Sequence, residues 1–166
     1  MTVIEEQQLV TLLKKLEPGY FPIEIFWEFC RLCKLTVIEL LPCFKDEDNN
    51  VKVLLTKRPD NDRFWPGKYH NPGCIVRQGD TIESAIERVI NEELSGVKIF
   101  GEPKFQGVKS VVSERGGHIQ IYYSVLLDSN NDELNRLGKL FDASKLTDNE
   151  VIEKDSAVKA VKDYSK

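Results

Sequence analysis

Residues 73–97, GCIVRQGDTIESAIERVINEELSGV, decide how this chain is read. At about 100° per residue with Ile82 set at zero, Ile86, Val89 and Ile90 all point within about 80° of it, and Glu93 lands near about 20° among them. By the same step of about 100°, Glu92 sits at the edge of that stripe and Arg88 lies beside it. Two adjacent acids therefore fall on or next to an apolar helix face. A carboxylate there has to be paired, protonated or bound to a metal, because desolvating an unpaired charge costs several kcal/mol. Periodicity alone equally fits a helix at a domain edge, with Glu93 reaching water or a lysine. Thr81 is a good N-cap for this helix and Gly96 a good C′ residue.

Working outward, residues 4–16 read as an amphipathic helix that "EPGYFP" ends, and residues 23–33 as a second short helix. "KLTVIELLPCF" and "VKVLLTKR" read as two strands around the polar turn "KDEDNN". The loop "PDNDRFWPGKYHNPG" is too rich in turn-formers for regular structure. "KFQGVKSVV" and "HIQIYYSVLL" form a hairpin across "SERGG", followed by a strand "GKLFDA" and a closing helix around 147–164. Strands interleaved with helices indicate a mixed sheet covered by helices, an α/β or α+β chain.

The 166 residues fit one domain, and a composition of 41% hydrophobic and 30% charged residues is that of a soluble, globular protein. A net charge of −4 with scattered lysines argues against a surface that coats a nucleic-acid polymer. No apolar run approaches the roughly 20 residues of a membrane span, and the acidic start "MTVIEEQQ" is unlike a signal peptide. A cytoplasmic location without membrane contact is the expectation. Of the four cysteines, Cys30 and Cys33 form a C-x-x-C without a second pair or histidine cluster to complete a zinc site, and read as two buried helical thiols.

A glycine-bearing loop leading into a helix that carries R-x-x-x-E-E is a sound arrangement for holding a divalent cation against a diphosphate. Mg²⁺ takes carboxylate and carbonyl oxygens and keeps waters and phosphate oxygens as its other ligands. The segment resembles the Nudix box, G-x5-E-x7-R-E-U-x-E-E-x-G-U with U aliphatic. Arg88, Glu92 and Glu93 set the register, which puts Asp80 on the first Glu, Ile90 on the aliphatic position and Cys74, directly after Gly73, on the first Gly. The upstream "LLTKR" and "WPGKYHNPG" are similar to what precedes the box in that family. The chain departs from the pattern at Cys74, at Asp80, in the extra residue of "ELSGV", and at Val89, which stands where the family has a Glu that often helps to bind metal or activate water.

The resemblance implies a Nudix-type α/β/α sandwich with a mixed sheet over residues 34–166, preceded by a helical extension over residues 1–33. It implies that Glu92 and Glu93 ligate Mg²⁺ or Mn²⁺, aided by the Gly73 carbonyl, while Arg88 orients the acids. Glu133 occupies roughly the region from which the family often supplies a further acid. Arg58 and Arg77 are candidates for phosphate contacts, Arg being suited to bidentate oxyanion binding. Trp65 and Tyr69 are candidates to stack on a base or sugar. With valine at position 89, His118 is the candidate base. The implied activity is hydrolysis of a diphosphate linkage in a nucleoside diphosphate derivative, with a homodimer left open. Two rivals stand beside it. One is an isomerase of the isopentenyl-diphosphate type, suggested by "WPGKYHN" and Cys74; the other is a non-catalytic module that binds a nucleotide or a protein, suggested by Val89.

Overall fold

The computed structural model describes residues 1–128, 131–142, 145 and 146. Two helices lead the chain, α1 (Val3–Leu13) and α2 (Ile23–Leu32), and a mixed sheet follows. Its centre is β1 (Leu35–Lys45), which runs parallel to β6 (Gly116–Leu127) from Leu35 opposite His118 to Phe44 opposite Leu127. The other edge of β1 is shared. Its first half pairs antiparallel with β4 (Gly73–Ile75), placing Glu39 opposite Gly73, and its end pairs with β2 (Val51–Lys57). Beyond β2 lie β3 (Tyr69–His70) and β7 (Lys139–Asp142), and β5 (Ile99–Ser113) closes the far side against β6.

Strand β1 is buried at Val37, Ile38 and at every residue from Leu40 to Cys43, as a strand covered on both faces should be. Ile38, Leu40 and Leu54 meet the inner face of α3 (Ile82–Glu93) at Ala85, Ile86 and Val89 in the main core. Leu41 and Cys43 belong to a separate cluster with Val51 and Tyr122. Helix α3 begins as its sequence dictates. Thr81 Oγ1 accepts the Ser84 N–H at 3.2 Å while Ser84 Oγ accepts the Thr81 N–H at 2.9 Å, so two otherwise orphaned donors are satisfied reciprocally.

Several expectations are corrected. Helix α3 stops at Glu93 with Leu94 as its C-cap, so Gly96, at φ 85°, lies further beyond the helix than a C′ residue. Two short strands, β3 and β4, interrupt the loop expected to lack regular structure, because their backbones find ladder partners on β2 and β1. Only one of the paired thiols is buried. Cys30 is, while Cys33 is exposed at the C-cap of α2, where the backbone has turned extended. Helix α1 buries no residue, although Leu9, Leu12 and Leu13 face α2 across an apolar cleft of about 400 Å³. Glu133 lies on a short helix, α4 (Asn131–Leu137), rather than in a loop. The closing helix expected around 147–164 falls outside the described residues. No helix among the described residues is long and apolar enough to cross a membrane.

Candidate functional site

The helix α3 register carries Glu93 to the border between core and groove. Its carboxyl is half-buried, and Oε1 accepts the Gly73 N–H at 3.2 Å, so strand β4 and the last turn of α3 are tied at the acid itself. Burial pushes the Glu93 carboxyl above the usual carboxylate range; the Gly73 N–H and the positive charge of Arg58 oppose that rise, and the charge of Glu92 adds to it. Glu92 is exposed beside it.

These acids lie on a groove of about 610 Å³ that the core elements and the N-terminal extension build together. Gly73, Arg77, Arg88, Glu92 and Glu93 line the polar side, and Tyr20, Phe21 and Phe26 line the other. Gly19, at φ 83°, allows the extension to approach closely: a Cβ there would sit 3.3 Å from Arg77 Cβ.

Arg88 does not hold the acids. Its guanidinium donates to the Ile75 carbonyl at 3.1 Å and to Asp80 Oδ2 at 2.5 Å, fastening the loop before α3 to the helix. The same Asp80 oxygen accepts the Arg77 N–H at 2.7 Å; this backbone donor first, and Arg88 second, hold the Asp80 carboxyl below its ordinary value. Arg88 is thus a positioning residue, and Asp80 serves the loop. Cys74 packs on the main core, its thiol donating to the Ala85 carbonyl at 3.6 Å; burial raises its pKa, with Arg88 opposing. Val89, 1% exposed, is enclosed in the core and turned away from the groove, so this position is a packing site here.

Three other sequence candidates collect in a second, small cavity of about 50 Å³: Arg58, Trp65 and His118 line it. Arg58 pairs with Asp62 at 3.0 Å and stacks on Trp65, its guanidinium carbon 5.3 Å from the ring centre. Arg115 stacks on Trp65 as well, at 5.6 Å. The indole is therefore covered by guanidinium groups rather than open to a base. Tyr69 packs edge-on against Phe141 with ring centres 4.9 Å apart and belongs to the core, not to a ligand surface. His118 is buried and faces this second cavity instead of the groove of Glu92 and Glu93. Glu133 is exposed on α4.

Sequence reasoning missed Glu39, His70, Asn71 and Arg115, all on the second cavity, and the aromatic wall of the extension. Glu39 carried a signal as the single charge inside the apolar run "TVIELLPCF". Arg115 carried none: it stands in a two-residue hairpin turn between Ser113 and Gly116, where a charge ordinarily faces water.

A divalent cation is tested against this donor set by the acids themselves. Among the described residues no group of three or more His, Cys, Asp or Glu side chains is arranged to hold a metal ion. The pair Glu92 and Glu93, one of them desolvated and both on one helix turn, suits Mg²⁺, which binds through one or two carboxylates and fills its octahedron with water and phosphate oxygens. It does not suit an ion that needs a closed protein cage.

No family model matches the sequence, and no curated protein matches it. Solved structures do. A mutT/nudix family protein from Listeria innocua superposes with a TM-score of 0.55 at 21% identity, covering 69% of this chain and 82% of the other. The Ap4A hydrolase of C. elegans gives 0.51 at 16% identity, over 68% of this chain and 83% of that one. NrtR of Shewanella oneidensis, in its complex with a 27mer DNA, gives 0.61 at 13% identity over 76% of this chain, which spans only 60% of that protein. Identities this low speak to architecture alone, and with the mixed sheet, the capped helix and the loop leading into it they establish that this chain has the Nudix fold.

Proposed function

We propose that the chain is a metal-dependent hydrolase that cleaves a diphosphate linkage in a nucleoside diphosphate derivative. The observation that carries this reading is Glu93: a desolvated carboxyl held by a backbone N–H next to Glu92, on the wall of a groove large enough for a nucleotide. When bound, Mg²⁺ or Mn²⁺ neutralises diphosphate charge and acidifies a coordinated water. The residues of the chain do the rest. Glu92 and Glu93 would hold the ion, and Gly73 fixes the rotamer of Glu93 through its N–H. Arg88 and Asp80 keep the loop in place, so that Arg77 can contact a phosphate from it. Tyr20, Phe21 and Phe26 supply an apolar wall that excludes water from the bound nucleotide.

A binding module without turnover is the second reading, favoured by Val89, whose burial leaves the helix without an acid at that position. The isomerase reading gains no support from the site. His70 and His118 line the other cavity, and the Cys74 thiol is directed to a backbone carbonyl with its pKa raised.

Two measurements on the full chain test the proposal. Mg²⁺ or Mn²⁺ should raise the Tm, by an amount equivalent to about 2.7 kcal/mol at a hundredfold excess over Kd, and Glu92→Gln/Glu93→Gln should remove the shift. A panel of nucleoside diphosphate derivatives should then show metal-dependent nucleotide release. A metal response without release across the panel selects the binding module, and an unaltered metal response in the double variant refutes the assignment of the acids.

A further inference from the structure

The second cavity has its own chemistry. Arg58 lies close enough to disfavour the charge of Arg115, and both stack on Trp65. Arg58 has Asp62 as an ion-pair partner at 3.0 Å. Arg115 makes no hydrogen bond and no ion pair with any described residue, although burial is the first cause pulling its guanidinium below the ordinary arginine value. Glu39 and Asp62 act on it only at longer range. Arg115 is half-buried; a guanidinium presents five N–H donors in a planar fork, and those turned away from water are costly to leave unmet. Across the same small space Asn71, 2% exposed, has a buried Oδ1 without a hydrogen-bond partner. The cavity therefore brings the guanidinium donors of Arg58 and Arg115 and the unmet Asn71 acceptor into one small space, with the Glu39 carboxylate also on its wall.

We propose that this cavity is an oxyanion site in which Arg115, with Arg58, donates to a phosphate group and Asn71 Oδ1 accepts a hydrogen bond from an O–H of the same ligand. The ligand class follows from size and proton inventory. About 50 Å³ admits one small anion and no nucleoside. Hydrogen phosphate, free or as the end of a monoester, accepts from the guanidinium forks and still carries an O–H for Asn71, whereas sulfate at neutral pH has no proton to give. The site requires neither Glu92 nor a metal ion, and it stands whether or not the groove hydrolyses anything.

The test uses the full chain in EDTA at low ionic strength, titrated with inorganic phosphate and, at matched ionic strength, with sulfate. Calorimetry reads binding, and fluorescence in a Trp27→Phe background isolates Trp65, since the chain has two tryptophans. The expected result is saturable phosphate binding that perturbs Trp65, with sulfate at least about tenfold weaker, the loss expected for one unmet buried group. Arg115→Gln should weaken phosphate about tenfold or more, and Arg115→Lys should fall between, because a single ammonium cannot reproduce the fork. If circular dichroism shows Arg115→Gln unfolded, the Arg115→Lys comparison decides. No saturable binding in the parent, binding that appears only when Mg²⁺ replaces EDTA, or unchanged affinity in Arg115→Lys and Arg115→Gln would overturn the proposal. Equal affinity for phosphate and sulfate would overturn the part assigned to Asn71.

Discussion

His70 and Glu93 show how single environments set titration. His70 is largely buried, with Thr56 Oγ1 3.3 Å from its Nε2, and burial, reinforced by the charge of Arg58, pushes its pKa from 6.5 to about 4. Between those values the unfolded chain binds more protons than the folded one, so stability rises with pH across the window and is lost as the solution is acidified through it. At about 1.4 kcal/mol per unit, His70 contributes on the order of 3 kcal/mol to the acid limb. In His70→Gln, denaturation midpoints between pH 6.5 and 4 should fall less steeply, by about one proton. Glu93 works in the opposite sense. Its raised pKa means that the folded state is penalised once the carboxyl ionises, so stability falls as pH rises through the shifted range. Glu93→Gln keeps an oxygen to accept the Gly73 N–H and removes the charge; its Tm at neutral pH in EDTA should exceed that of the parent, and a lower Tm would contradict the desolvation argument.

At the scale of one element, helix α3 divides its faces more strictly than a pattern match suggests. Ala85, Ile86 and Val89 are 0%, 6% and 1% exposed and lock the helix onto β1, while Glu92 and Glu93 follow in the last turn, Glu92 exposed and Glu93 half-buried against β4. Replacing Val89 by the acid of the box pattern therefore buries a carboxylate in the main core instead of adding a ligand or base. Val89→Glu should cost about 3–5 kcal/mol in chemical denaturation and give no gain in turnover, while Val89→Ile should cost less than about 1.5 kcal/mol where the core can repack. A Val89→Glu variant of parental stability and higher turnover would show that the helix turns this position toward the groove.

At the scale of the whole molecule, residues 1–33 are bound to the sheet through a backbone contact that tolerates no added atom. A Cβ on Gly116, where φ is 126°, would lie 2.0 Å from the Cys30 carbonyl oxygen, so the end of α2 rests on the β5–β6 turn that carries Arg115. Trp27 of α2 also meets Phe64 edge-on at 5.2 Å, and Phe64 adjoins Trp65 at 5.8 Å. Gly116→Ala should separate these parts, since backbone strain alone costs roughly 1–3 kcal/mol before the clash is counted. Limited trypsin digestion should then cut faster after Arg31 and Lys34, and the Trp65 response to phosphate should weaken with it. Unchanged digestion would mean that the extension is held from elsewhere.

The sequence by itself determined what short-range periodicity and chemistry can determine. The helix over Ile82–Glu93 with its Thr81 cap, the β5–β6 hairpin and the placement of Glu93 on an apolar stripe were all legible, because a 3.6-residue repeat, a cap side chain and a turn act within a few residues of each other. It did not show that Arg88 serves the loop instead of the acids, since Asp80 and Ile75 reach it only once the loop has folded back. Nor did it show that Val89 is core, that Trp65 is covered by two guanidiniums, or that residues 18–26 wall the groove. Those were decided by tertiary structure, for a physical reason. The parallel pairing of β1 with β6 brings residues about eighty positions apart into register, and that register carries the hairpin turn with Arg115 over Glu39, Arg58 and Asn71. Burial and partner geometry, which fix a charge's role, come into being only with that pairing.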